Sequence, residues 1–364
     1  MATGIDAAST AGTAADPAGR RHAGRTARRR GTALAAVLLA ALPTLGLAEA
    51  ASRPSPAPPG TNPANTAPAA DTTAADTTAP GTATAATTTD DESASCDAEV
   101  SLRPDPTADG PELRRIRERG HLIAGVDQNS YLFGYRQQPT PEDPTGRLVG
   151  FDIDIVRAIA EEILGDPDAV EYRPLYTSNR IDAVREGEVD VLVRTTTISC
   201  ERLEEIAFST PYLAVGNQLL VPRDAEVDSL DALPDDQRVC ASRDSTAADL
   251  LARLRPDPAP VLANETLDCL VMLQRGQVAG VVSHNTLLAG QVAQDPQVRV
   301  VGEPLSDAWY GVGVRHDADA LLRVVNHVLE ERRVDGSWQA SYDEWLAPYL
   351  PGAASAPPAP VWRD

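Results

Sequence analysis

"AVREGEVDVLVRTTT" (residues 183–197) and "MLQRGQVAGVVSHNT" (residues 272–286) follow one plan, about ninety residues apart. Each starts in a helix, is closed by a glycine (Gly187, Gly276), passes through a short apolar strand and ends in a polar loop. Glycine suits the closing position because helices commonly finish on a residue with positive φ, where a side chain is strained. An echo of this kind predicts two similar α/β lobes rather than one long sheet. The surrounding sequence agrees. In "RLVGFDIDIVRAIAEEILGD" (147–166), Ile155, Ile159 and Ile163 recur every fourth residue, flanked by Val156 and Ala160. They mark one apolar helix face, with Asp152 or Asp154 near its start and Gly165 just past its end. Strand signals at 121–126, 169–176, 189–193, 218–222, 238–241, 259–263, 278–282 and 309–315 alternate with helical ones, which defines α/β with a mixed or parallel sheet. In open α/β sheets ligands collect beyond the carboxyl ends of strands, so both polar loops are expected to face a common cleft.

Only part of the 364-residue chain carries such patterns. Residues 1–30 hold six arginines and two aspartates; residues 31–48 are uncharged and apolar, followed by small residues at Ala48 and Ala50. Basic region, apolar region and small-residue site together predict a signal peptide over 1–50, with an uncleaved N-terminal anchor as the alternative. Residues 51–95, nearly all Ala, Thr, Pro, Ser and Asp, cannot bury enough surface to offset chain entropy and should form a disordered tether. A Pro/Ala-rich tail, 351–364, is expected to be disordered as well. The folded part is then 96–350, enough for one large domain or two modest ones.

The net charge of −21 becomes −24 if residues 1–50, with their six arginines and three acids, are removed. Such a surface repels nucleic acid. The sequence has no lysine, so every fixed side-chain cation is an arginine. Four cysteines, Cys96, Cys200, Cys240 and Cys269, show no metal-ligand spacing, and in an exported chain they suggest two disulfides. Three pairings are possible. Cys240–Cys269, close in sequence within one candidate lobe, is favoured, which leaves Cys96–Cys200; unpaired thiols are the alternative. No cofactor or metal is implied.

A carboxylate accepts about four hydrogen bonds and prefers a planar, bidentate donor. Thr195, Thr197 and Arg202, in the loop after the first echoed strand, could supply that set. The alternative is that the threonines cap the helix starting at "SCERLEEI" (199–206), with Arg202 paired to Glu205 on its surface. A second cation, Arg180, follows Thr177, Ser178 and Asn179 in "TSNR"; alone, that pattern more often marks a helix start.

With these residues in place, "GFDIDIVRAIAEEI" (150–163) resembles the signature of the family 3 extracellular solute-binding proteins, which serve polar amino-acid ABC importers. "TTTISCERLEEIAFSTPYL" (195–213), "VCASRDST" (239–246), "LQRGQVAGVV" (273–282), "WYGVGV" (309–314) and "DGSWQASYDEWL" (335–346) match later landmarks in order. The cysteines and "CDAEVSLRP" (96–104) look like the glutamine/glutamate-binding branch of high-GC Gram-positive bacteria. The resemblance implies a two-lobed clamshell of the type II periplasmic-binding-protein kind. Lobe one would span about 112–211 and 313–350, and lobe two about 217–307. Hinge strands would pass near Tyr212–Gly216 and Ala308–Val312. It further implies a monomer outside the cytoplasm, secreted or tethered, that closes on a small ligand and presents it to a membrane permease. In the family, the residue matching Arg202 holds the ligand's α-carboxylate, helped by those matching Thr195 and Thr197. Ser245 and Thr246 stand at the start of a second-lobe helix, where Thr246 would add a backbone N–H. Thr177 and Arg180 fall on an element of members selective for acidic side chains, which favours glutamate or aspartate over glutamine.

The sequence departs from the family in three places. His284 stands where an aspartate usually holds the ligand's ammonium group; a neutral imidazole accepts one hydrogen bond but supplies no opposite charge. Asp127 or Asn285 is expected to compensate, or the site is weakened or repurposed. Ser130 falls where many members stack an aromatic ring, with Tyr131 and Phe133 as neighbouring substitutes, and Ala279 replaces a common acid. Two other functions remain open: a sensor that signals closure to a membrane partner, and a clamshell-fold enzyme. The enzyme would need a general acid or base in the cleft, and only His284, with Glu201 second, offers one. No Ser–His–Asp arrangement supports it, and no enzyme activity is expected.

Overall fold

The computed structural model describes residues 96–350 and 356–363. The expected signal or anchor, the 51–95 tether and residues 351–355 lie outside the described residues.

Two five-stranded sheets organise the chain. In the first, the order is Val170–Pro174, Leu122–Val126, Val191–Leu192, Gly313–Val314, Ala207–Phe208. In the second it is Val261–Ala263, Val239–Ser242, Gly280–His284, Leu213–Pro222, Val298–Tyr310. The plan is shared. Three strands run parallel, with the first in sequence at the centre of the three, and an antiparallel strand packs beside the third. The sequence echo thus marks the third strand of each sheet, Val191–Leu192 and Gly280–His284. Gly187 (φ 73°) and Gly276 (φ 65°) adopt the left-handed conformation that closes the preceding helices.

Each sheet is buried on both faces. Phe133, Phe151, Ile155, Ile159, Tyr310 and Trp338 belong to the largest apolar cluster, while Val184, Leu192, Ile198 and Phe208 cover the other side of the first sheet. Leu219, Val239 and Val282 pack in one cluster of the second sheet and Leu220, Cys240 and Val281 in another. Burial on both faces explains why these strands are apolar runs rather than alternating ones.

The helix Phe151–Leu164 buries the stripe expected of it: Ile155, Val156, Ile159, Ala160 and Ile163. Its start is not capped by an aspartate. Gly150 is the N-cap, with φ of 134°, and a Cβ there would lie 2.3 Å from the carbonyl oxygen of Phe133. Asp154 instead accepts hydrogen bonds from Ser341 (2.5 Å) and the Trp345 indole (2.8 Å).

The strands Leu213–Pro222 and Val298–Tyr310 pair antiparallel, with an irregularity between Val301 and Ser306, and carry the chain from one sheet to the other. Near the first sheet, Tyr212 donates to the Tyr310 carbonyl (2.8 Å) and Ile198 to that of Trp309 (2.9 Å). Disulfides join Cys96 to Cys200 and Cys240 to Cys269.

The C-terminal end departs from the expected disordered tail. Val361–Arg363 forms a parallel strand with Val100–Leu102. Asn326, fully buried, fixes that N-terminal strand by donating to Ser101 Oγ (2.9 Å) and the Leu102 carbonyl (2.7 Å). The backbone of an otherwise Pro/Ala-rich segment finds in this strand an edge to pair with, which composition does not reveal.

Candidate functional site

The loop that follows Val191–Leu192 carries Arg194–Thr197, and the segments after Val239–Ser242 and Gly280–His284 carry Ser245, Thr246 and His284. These chain segments meet between the two sheets around a small cavity. Seven of the eight residues expected at the site line it: Thr177, Arg180, Thr195, Thr197, Ser245, Thr246 and His284. Asp127, Ser130, Arg194, Ser242, Glu265 and Ser283 complete most of its polar wall.

Arg202 is the exception. It is buried, but its guanidinium donates to the Thr197 carbonyl (2.9 Å) and, across the cleft, to the Asp244 carbonyl (3.1 Å). It therefore backs the cavity rather than lining it. Nor is it a surface partner of Glu205, which pairs with Arg185 instead. Ser199, not a threonine, caps the short helix Cys200–Leu203. Ser245 is likewise occupied as a cap: its hydroxyl accepts from Ala248 N (3.1 Å) and donates to the Ser242 carbonyl (2.6 Å).

Arg194 is the charge centre that the sequence did not single out. Its guanidinium contacts Glu265 (2.7 Å) and Asp127 (3.0 Å) and donates to the Leu175 carbonyl (2.7 Å) and Thr177 Oγ1 (3.1 Å). Glu265 belongs to the second sheet's lobe, so this buried ion pair crosses the cleft. Burial outweighs Arg194's attraction and raises the Glu265 carboxyl to about 7. Asp127 also accepts from Asn129 N and Ser130 Oγ, both at 2.8 Å.

Arg180 is the contrasting case. It lines the cavity, is 4% exposed, and its Nε is buried without a hydrogen-bond partner. Burial, reinforced by Arg202 and Arg194, lowers its pKa well below the ordinary value. His284 is pushed down to about 3 by burial, with Arg202 and Arg180 adding to it, so the imidazole is neutral. At both residues Arg202 is the strongest charged neighbour. Thr197 Oγ1 sits here too, 3.4 Å from Thr246 Oγ1 and 3.5 Å from His284 Nε2.

Behind the wall, Asp152 accepts from Thr195 N (2.8 Å) and the Tyr212 hydroxyl (2.9 Å). Thr195 has φ of 43°, an uncommon conformation for a β-branched residue, and the Asp152 bond holds its amide in place. Burial raises Asp152 to about 7.

The remaining expectations separate cleanly. Asn285 does not line the cavity; its side chain accepts from Thr286 N and Gly216 N (2.9 and 3.3 Å). Asp127 does line it. Neither neighbouring aromatic replaces the ring missing at Ser130: Phe133 is buried against Phe151 and Tyr310, and Tyr131 packs with Tyr135 and Tyr349. A second cavity touches the same two acids, Asp127 and Glu265, together with Gln128, Asn129, Pro174, Leu175 and Tyr176.

A polar, charge-lined cavity enclosed between two α/β lobes on paired crossing strands is the architecture of a clamshell ligand-binding protein. The chain belongs to the bacterial extracellular solute-binding proteins, family 3, whose pattern matches residues 122–348. It is 34% identical to the glutamine-binding protein of Geobacillus stearothermophilus, over 61% of this chain and 83% of that one. Identity to a glutamate-binding protein of Corynebacterium efficiens is 28%, over 65% and 82%. Among solved structures it resembles the L-cysteine solute receptor of Neisseria gonorrhoeae, with a TM-score of 0.61, 25% identity, and coverage of 66% and 96%.

Proposed function

We propose that this protein is an extracytoplasmic receptor for an acidic amino acid, L-glutamate or L-aspartate, which it delivers to an ABC importer. Amino-acid binding and delivery follow from the family and from relatives such as the ABC transporter glutamine-binding protein of Bacillus subtilis. The acidic preference rests on one observation: Arg180, buried in the cavity wall, has an unpartnered Nε, and its strongest charged neighbour is the Arg202 guanidinium. A carboxylate supplies acceptors and opposite charge together, and the rigid guanidinium fork suits it better than an amide. Thr197 and the first turn of the helix Thr246–Leu254 add hydroxyl and backbone donors from either side of the cleft. Ligand binding then bridges the lobes and favours the closed arrangement.

Calorimetry on the full chain with L-glutamate, L-aspartate and L-glutamine tests this. Binding of an acidic amino acid should exceed that of glutamine. Arg180→Ala should weaken it by about 10- to 100-fold, the worth of one charge-assisted hydrogen bond. Arg202→Ala should weaken it as well, since Arg202 supports Thr197 and spans the lobes. Tighter binding of glutamine, unchanged by Arg180→Ala, would overturn the acidic assignment.

A further inference from the structure

We infer that Glu265, with Asp127 beside it, receives the ligand's ammonium group, and that residue 284 has changed from an ammonium acceptor to a neutral hydrogen-bond donor on the carboxylate side of the site. This rests on the reading of the ligand as an amino acid and assigns its orientation.

Glu265 occupies the N-cap of the helix Thr266–Gln274, a position where Ser, Thr, Asp and Asn are preferred. Glu265 forms a capping box with Asp268, yet its carboxylate also lines the cavity, so it serves more than the helix. Its backbone N–H bonds to Asp268 Oδ2 (3.2 Å), which fixes where the side chain starts. The carboxylate itself reaches across the cleft to Arg194. Arg194 is one cation shared by two acids, so above about pH 7, where Glu265 is ionised, the cluster of Arg194, Asp127 and Glu265 carries a surplus negative charge. Arg180 and Arg202 provide the surplus positive charge elsewhere around the cavity. The lining is therefore polarised, as a ligand with an ammonium and carboxylates requires.

Of the two acids, Asp127 already accepts from Asn129, Ser130 and Arg194. Glu265 has more of its roughly four acceptor directions left. It also sits in the lobe opposite Arg180, so an amine bound there and a carboxylate bound by Arg180 would be gripped from both sides. His284 cannot take that part. The Tyr310 hydroxyl lies 2.8 Å from His284 Nδ1, and we assign the hydroxyl as the donor of this bond. The imidazole hydrogen is then assigned to Nε2, which faces Thr197 Oγ1 among the arginines. Residue 284 thus offers an N–H where an ammonium would need a lone pair.

The test compares an acidic amino acid with its analogue lacking the amine: L-glutamate with glutarate, or L-aspartate with succinate, by calorimetry at pH 8 on the full chain, Glu265→Gln, and Glu265→Gln with His284→Asp. Glu265→Gln should weaken the amino acid at least about tenfold and the dicarboxylate less than about threefold. Adding His284→Asp should restore much of the amino-acid affinity, because it returns an acid to the cavity wall. Equal losses for both ligands, or no loss for the amino acid, would overturn the assignment while leaving the acidic-ligand reading intact. If the dicarboxylate does not bind the unaltered chain, rescue by His284→Asp decides: recovery supports Glu265 and its absence overturns it. If the unaltered chain binds neither amino acid, the functional reading falls first and this one with it.

Discussion

Arg194 is the cation that Asp127 and Glu265 share, and all three side chains are buried. Removing one partner of a buried ion pair leaves the others uncompensated, which typically costs about 3–5 kcal/mol, whereas removing all the charges together can be nearly neutral. Arg194→Met should therefore lower unfolding free energy by about 3 kcal/mol or more in urea titrations. Adding Asp127→Asn and Glu265→Gln should restore most of it. A single variant as stable as the parent would mean that the two acids are solvated in solution and that the cluster does not bind the lobes together. Arg194 escaped notice in the sequence because it precedes three threonines that look like the functional element, while its acids lie 67 residues upstream and 71 downstream. Arg180 was legible as a cation beside hydroxyl residues. That it would be left without a hydrogen-bond partner was not, since that depends on where Arg194 and Arg202 spend their donors.

The helix Phe151–Leu164 was the most legible element, because a repeat of apolar residues every fourth position has one physical solution. What its first turn does was hidden. Asp152 looks like a cap, yet it holds Thr195 and Tyr212, 43 and 60 residues away, and no local pattern encodes partners at that distance. The consequence is a pH dependence. Asp152, raised to about 7, is protonated in the folded chain over a range where the unfolded carboxyl is ionised. Its contribution is thus fully present below about pH 4 and is lost as pH rises through about 7. Glu265 acts in the same sense. His284 opposes them: lowered to about 3, it stays neutral when folded, so falling pH below about 6.5 favours the unfolded chain. Each group contributes up to about 1.4 kcal/mol per pH unit inside its window. Asp152→Asn leaves Glu265 and His284 nearly cancelling, so urea titrations between pH 4.5 and 7.5 should give a flatter profile for the variant than for the parent. An unchanged slope would show that Asp152 is ionised throughout. Asp152→Ala should be worse at every pH, because a buried amide and hydroxyl each lose a partner, about 1–3 kcal/mol apiece.

At the scale of the whole molecule, the echo between residues 183–197 and 272–286 was enough to predict two lobes, but not how closely they approach. That approach depends on a glycine in the helix Asn285–Gln294. A Cβ on Gly290 would lie 2.6 Å from the carbonyl oxygen of Tyr131, which belongs to the first sheet's lobe. Leu287 on the same helix packs against the large cluster of that lobe. The side chain missing at 290 therefore lets a second-lobe helix rest on first-lobe backbone, alongside the Arg194–Glu265 and Arg202–Asp244 contacts. Two effects of Gly290→Ala then oppose each other. Alanine in a helix interior is favoured over glycine by about 1 kcal/mol, which stabilises the second lobe. The same methyl group meets a backbone carbonyl in the turn between the strands Asn129–Ser130 and Gly134–Arg136, an atom that cannot swing aside as a side chain would, so the lobes must open. If binding requires the closed arrangement, apparent affinity falls in proportion to the closed fraction. The variant should unfold no more easily than the parent, bind its ligand about tenfold or more weakly, and show a larger radius of gyration in small-angle scattering. Unchanged affinity with an unchanged radius would mean that the contact yields by adjustment of the turn or the helix, and that the lobe interface tolerates a methyl group at this position.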